Sequence, residues 1–84
     1  MIKVHVNEDI GKRVSKLMYG LMRSAVSDAK GFALVDNPAY ADWCAYMSIT
    51  GDTVMVAHTR SDVMFEVSNP SSMIARIRRT ETQG

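Results

Sequence analysis

Residues Val56 to Asp62, Val-Ala-His-Thr-Arg-Ser-Asp, place an imidazole, two hydroxyls, a guanidinium and a carboxylate in one short run. These are the groups of nucleophilic and phosphoryl chemistry. A serine nucleophile needs an imidazole within hydrogen-bond reach and a carboxylate that orients the ring. Cleavage of a phosphodiester needs an acid-base group beside a cation, a role for His58 with Arg60 or Tyr46. A metal would need His5 and His58 together, with Asp62 or Glu66. Each reading has a plainer counterpart. Arg60-Ser61-Asp62 is ordinary turn composition. Neighbours on one hairpin do not readily reach triad geometry, and no glycine-rich oxyanion loop follows. The histidine spacing matches no metal signature. The expectation is therefore a hairpin end, with no catalytic residues, no metal and no cofactor.

The elements that must position this run are legible from periodicity. Ile2, Val4 and Val6 alternate with Lys3 and His5, as in a short strand with one buried face. Asn7 is a candidate N-cap, and Glu8 and Asp9 follow in the first turn, where the helix dipole favours negative charge. Ile10, Val14, Leu17, Met18, Leu21, Met22, Ala25 and Ala29 form one apolar stripe at helical spacing and predict a single long helix. Lys30-Gly31 is its stop signal. Residues 32–42 are ambiguous: Phe32 to Val35 reads as a strand or a connection, and Asn37-Pro38 as a turn or cap.

From Trp43 onward the pattern predicts an antiparallel three-stranded meander. A two-residue turn at Gly51-Asp52 sets Ile49 opposite Val54 and Met47 opposite Val56. A two- or four-residue turn before Val63 keeps Val63, Phe65 and Val67 on that same face. Asn69-Pro70 starts a last helix with Met73, Ile74 and Ile77 inward and Arg76, Arg78 and Arg79 outward. The expected fold is two-layer α+β in β-α-β-β-β-α order, with the meander, joined or not by the N-terminal strand, packed on the long helix. Residues 1–79 make a single domain and residues 80–84, polar and without an apolar anchor, a flexible tail.

Composition bounds the function classes. An 84-residue chain buries roughly 60–65% of its unfolded surface, enough for one modest core but not for a deep cleft. With 46% apolar and 23% charged residues it is ordinary for a soluble domain. One cysteine, Cys44, excludes an internal disulfide, which favours a reducing, cytoplasmic setting. No segment reads as a signal peptide or a membrane span.

Two surfaces stand out as interaction candidates. Lys12, Lys16, Tyr19, Arg23 and Lys30 line up opposite the apolar stripe, and with Arg76 and Arg79 they would follow a phosphate backbone. A solvated helix face explains them as well, because the net charge is only +1. On the sheet, Tyr46, Met55, Ala57 and Met64 fall opposite the core, with Ser48, Thr50, Thr53 and Glu66. Seven methionines is a high number for this length, and flexible thioethers suit adaptable binding surfaces. Edge-strand pairing into a homodimer is a related expectation. Asp36, Asp42, Asp52 and Asp62 are dispersed, mostly in turns, and make a weak phosphate mimic.

The order helix, three strands, helix resembles the double-stranded-RNA-binding domain. The lysine cluster that opens the last helix there is replaced here by Pro70-Ser71-Ser72-Met73. The run of helix then antiparallel strands is similar in order to small bacterial RNA-cleaving toxins, without their motifs. In brevity and lack of apparatus the chain resembles the compact inhibitors that phages and mobile elements make against host machinery, anti-CRISPR proteins among them. That resemblance is of type, not of motif. The expectation is a small non-catalytic module that docks on a protein or nucleoprotein partner, with Tyr46, Met55, Met64 and Glu66 as its binding residues. The alternatives are a nucleic-acid binder on the basic helix faces and a small ribonuclease around His58.

Overall fold

The computed structural model describes residues 1–83. Five strands, β1 (Ile2–Val6), β2 (Phe32–Leu34), β3 (Trp43–Met47), β4 (Val54–His58) and β5 (Met64–Val67), form one mixed sheet in the order β2-β1-β3-β4-β5. Two helices, α1 (Lys16–Asp28) and α2 (Pro70–Gln83), pack with Met22, Val26, Met73 and Ile77 onto the core side of that sheet. The fold is thus two-layer α+β.

The N-terminal strand joins the meander as a central strand, not as an appendage. It lies parallel to both neighbours, with Ile2 opposite Phe32 and Val4 opposite Trp43. Segment 32–34 therefore resolves as an edge strand, forming a β-α-β unit ahead of the meander. A parallel crossover usually takes a dozen or more residues, because the chain must run back the length of a strand. Here residues 35–42 suffice. Leu34 and Trp43 both pair with Val4, so the chain steps over β1 without returning along it. The link is tied down by the His5 imidazole Nδ1 against the Val35 carbonyl (3.0 Å) and by the Asp42 amide donating to Lys3 O (2.7 Å). Asn37 caps its short helical turn, Pro38–Tyr40, accepting from the Ala39 amide at 2.9 Å.

The single long helix of the sequence reading is broken. Residues Ile10–Val14 form one wide turn in which the Ser15 amide reaches back five residues to Ile10 O (2.9 Å). Ser15 itself is extended (φ −169°, ψ 147°) and its hydroxyl accepts from the Met18 amide at 2.8 Å, capping α1. The break resets the helical phase. Met22 and Val26 face inward, whereas Leu17 and Leu21 of the expected stripe are 72% and 46% exposed. The wide turn packs tightly on α1 at Gly11, where a Cβ would sit 3.2 Å from the Tyr19 Cβ. The predicted stop is present: Gly31 takes φ 85°, a conformation that L side chains avoid, and the chain turns into β2.

The meander keeps the expected faces but not the expected register. Met47 pairs with Val54 and Ala45 with Val56, two residues off the predicted pairing. The cause is the β3–β4 loop, which spans residues 48–53 and closes with Ser48 N–H donating to Thr53 O (3.0 Å), so Gly51-Asp52 is not a tight hairpin. A shift of two preserves side-chain direction. It does expel Ile49 from the core to full exposure at the loop. The β4–β5 connection is the four-residue turn, closed by His58 N–H to Val63 O (2.9 Å). Phe65 and Val67 are buried, but Val63 is 42% exposed at the sheet margin.

Asn69 caps α2 through Ser72 N–H to Oδ1 (2.9 Å), as its position before Pro70 predicts. The helix then runs on to Gln83, so residues 80–83 are helical where the sequence reading expected a flexible tail; Gly84 lies outside the described residues. The reason is a tertiary anchor: the Trp43 indole N–H donates to Glu81 Oε1 at 2.7 Å.

Removing the α1 cap should be measurable. Ser15→Ala is expected to cost about 1 kcal/mol in a urea unfolding series, while Ser24→Ala, at an exposed interior position of α1, should cost nothing or stabilise slightly.

Candidate functional site

The turn that carries His58 to Asp62 is held chiefly to the start of β3. The Thr59 amide donates to Asp42 O (2.9 Å) and its hydroxyl to Ala41 O (2.8 Å). Arg60 forms an ion pair with Asp42 at 2.7 Å. The Asp42 carboxylate also accepts from the Lys3 amide (2.8 Å), so one side chain ties β1, β3 and the β4–β5 turn together. Burial pushes the Asp42 carboxyl up, but the Lys3 amide and the Arg60 guanidinium outweigh it and hold the group below the usual carboxylate value.

His58 lies on the core side, as its phase with Val54 and Val56 predicts, edge-on to Trp43 with ring centroids 4.8 Å apart. Its Nδ1 meets the Ser61 hydroxyl at 2.9 Å and receives the Arg60 amide at 3.4 Å. Both contacts fall on Nδ1, so this edge of the ring is turned into the turn. Ser61 Oγ also accepts from the Val63 amide (3.3 Å), which is turn-closing geometry. No described carboxylate is hydrogen-bonded to Nε2 to orient the ring, so the serine, histidine and carboxylate constellation is not assembled.

The other chemical groupings also separate in space. His5 pairs in register with Cys44, whereas His58 pairs with Trp43, so the two histidines point to opposite sheet faces and cannot share a metal. Tyr46 is on the face away from His58, and Arg60 is engaged by Asp42, which disperses the phosphodiester-cleaving set. Among the described residues no three of His, Cys, Asp and Glu gather as a metal site. The aspartates do not cluster into a phosphate mimic either, since Asp42 is spent on Arg60 and Asp52 accepts from the Thr50 hydroxyl at 2.5 Å.

The basic stripe is fragmented. The break at Ser15 takes Lys12 out of line with Lys16, and Lys12 instead lies 3.7 Å from Glu8 in a solvated pair. Arg23 donates to the Tyr19 hydroxyl (3.3 Å) and lies 5.5 Å from the centre of that ring. Arg76 stacks over Phe65 at 4.4 Å, so its guanidinium covers the core edge. Lys16, Lys30 and Arg79 stay exposed, on separate elements or beyond the end of α1.

The sheet-face residues are the set that the fold does bring together. Tyr46, Met55 and Glu66 form one cross-strand rung, and Cys44, Ala57 and Met64 the next. Both rungs lie on the face opposite α1 and α2. Met64 is 55% exposed, and Glu66 is held by the Thr53 hydroxyl from the β3–β4 loop. Ser48, assigned to this face from the sequence, is instead buried in the loop, bonded to Thr50 and Thr53. Cys44 was missed as a member of the face; its alternation with Trp43 and Ala45 was the available signal. Burial pushes its thiol up, which leaves little of the reactive thiolate.

A second feature had no sequence signal. Trp43, His58, Ser61, Val63, Thr80 and Glu81 line a cleft of about 230 Å³ between the β4–β5 turn and the end of α2. No described helix is long and apolar enough to cross a membrane. Comparisons with protein families, with curated proteins and with solved structures find nothing that matches this chain.

The Asp42 clasp makes a pH prediction. A carboxyl lowered in the folded state stabilises the fold above its unfolded pKa of about 3.9, and that contribution is lost as pH falls through the lower folded value. Asp42→Asn should therefore be less stable than the parent near neutral pH. The gap between their urea midpoints should narrow as pH falls below about 4.

Proposed function

We propose that the chain is a small non-catalytic binding module that docks on a macromolecular partner, a protein or nucleoprotein, through the open face of its sheet. The observation that supports this reading is the pair of adjacent rungs, Tyr46–Met55–Glu66 and Cys44–Ala57–Met64, on the face that neither helix covers. An aromatic ring and two thioethers in one patch, with a carboxylate beside them, match the composition of protein interfaces, where aromatics and methionine are enriched. Thioethers also repack readily against an imperfect fit.

Size refines the reading. Three strands about 4.8 Å apart and about five residues long offer roughly 200 Å² of footprint. A stable interface takes about 800 Å² from each partner. The contact therefore extends to the 48–53 loop, where Ile49 is fully exposed, and to the free edge of β5. That edge is also the place where a second copy would pair, the route by which this module would form a homodimer. The single cysteine is compatible with a reducing, cytoplasmic setting. In type, such a module is like the inhibitors of host machinery that phages and mobile elements make, anti-CRISPR proteins among them.

The test compares two surfaces. Tagged protein is used to capture partners from lysate with and without nuclease, and Met64→Asp is set beside the double variant Lys16→Glu, Arg23→Glu. Met64→Asp should lose the captured protein at least about tenfold, as expected when a charge is buried at an interface core, while the double variant should retain it. Loss only in the double variant, with release by nuclease, would move the contact to the basic helix. Cys44 gives an independent readout: its alkylation by iodoacetamide should slow further once the partner is bound, and an unchanged rate counts against the open face.

A further inference from the structure

The cleft at the end of α2 plays no part in the docking reading. We propose that it is a recognition site for a small organic cation, an alkylguanidinium or alkylammonium group. Its floor is the buried Trp43 ring, with His58 edge-on at 4.8 Å and the Val63 side chain at the margin. Glu81 stands at its wall. One carboxylate oxygen, Oε1, accepts from the Trp43 indole N–H at 2.7 Å; the other, Oε2, has no hydrogen-bond partner among the described residues.

Glu81 also lacks a cation, although α2 is rich in arginine. Arg76 is spent on the Phe65 ring, and Arg78 lies over Phe32 and donates to Lys30 O at 2.9 Å. The ion pairs among the described residues are Lys12–Glu8 and Arg60–Asp42. Nearby Arg60 is thus already neutralised. What remains facing the cleft is an anion fixed in place by an aromatic donor, the hydroxyl oxygens of Ser61 and Thr80, and an aromatic wall. The carboxylate attracts a cation by charge-assisted hydrogen bonding through its free oxygen, while the indole, 1% exposed, supplies an apolar floor that excludes water from beneath it. The same charge repels phosphates and carboxylates. A volume of about 230 Å³ falls below the range of roughly 300–1,000 Å³ typical of drug-sized ligands. It admits one head group the size of an arginine or lysine side chain.

Trp43 is the only tryptophan, so fluorescence excited at the red edge of the indole band, where Tyr19, Tyr40 and Tyr46 do not absorb, reports from the floor of this cleft. Agmatine is titrated at constant ionic strength, beside N-acetyl-arginine amide and, as an anionic control, butyrate. The cations should give a saturable change in Trp43 emission and butyrate none. Glu81→Gln keeps an amide oxygen for the indole but removes the charge, and should weaken cation binding at least about tenfold. Val63→Arg places a tethered guanidinium at the margin and should abolish it, so the test survives if Glu81→Gln does not fold. Tighter binding of the blocked arginine assigns the cleft to a partner's side chain; tighter binding of agmatine assigns it to a free amine. No saturable change, equal binding by Glu81→Gln, or an equal response to butyrate overturns the proposal. Met64→Asp should leave cation binding intact, so failure of the docking reading and failure of this one are told apart.

Discussion

The buried indole of Trp43 is the constraint on which the rest of the molecule depends. It opens β3, the strand that joins the parallel half of the sheet to the antiparallel half, and it sits between Val4 and His58 in register. A ring of this size buries a large apolar area, but its N–H cannot be left without an acceptor away from water. Glu81 meets that need, and in doing so fixes where the last turn of α2 must end. Once α2 is pinned at both ends, by Asn69 at its start and Glu81 near its finish, it covers the same face as α1. The opposite face is then left open by the architecture.

Local patterns carried much of this into the sequence. Alternation marked β1, β3, β4 and β5, and the Asn-Pro pairs and Gly31 marked the boundaries of the helices. The composition of the open face was legible for a simple reason. Side-chain direction in a strand depends on parity alone, so Tyr46, Met55, Met64 and Glu66 stay together even though the β3–β4 register differs by two residues from the expected one. The same parity places His58 on the core side, and the turn after it behaves as the composition of Arg60-Ser61-Asp62 implies.

What was not legible depends on partners far apart in the chain. Ser15 interrupts a stripe that reads as continuous from Ile10 to Ala29, because its competing side-chain cap wins once Gly11 is packed on Tyr19. No local window shows that α1 restarts in a new phase, so Leu17 and Leu21 read as core and Val26 did not. The Trp43–Glu81 bond links residues 38 apart, and it turns an apparently loose tail into a fixed helical end. Both partners of that bond line the cleft. The basic stripe failed for the same reason as the apolar one: both assumed one uninterrupted helix.

The position of β1 has a consequence for how the chain is made. Of the five strands it is made first, yet its two sheet neighbours begin at Phe32 and Trp43. During synthesis Val4 and Val6 therefore have no ladder to join until the middle of the chain has emerged, and β3 in turn is flanked by β4, made later still. Contacts this distant in sequence demand loop closure before they return any stabilisation, which slows folding. Nascent fragments ending before β2 would carry β1 as an unpaired apolar strand, and the domain would complete its order only once α2 has emerged and brings Glu81 to Trp43.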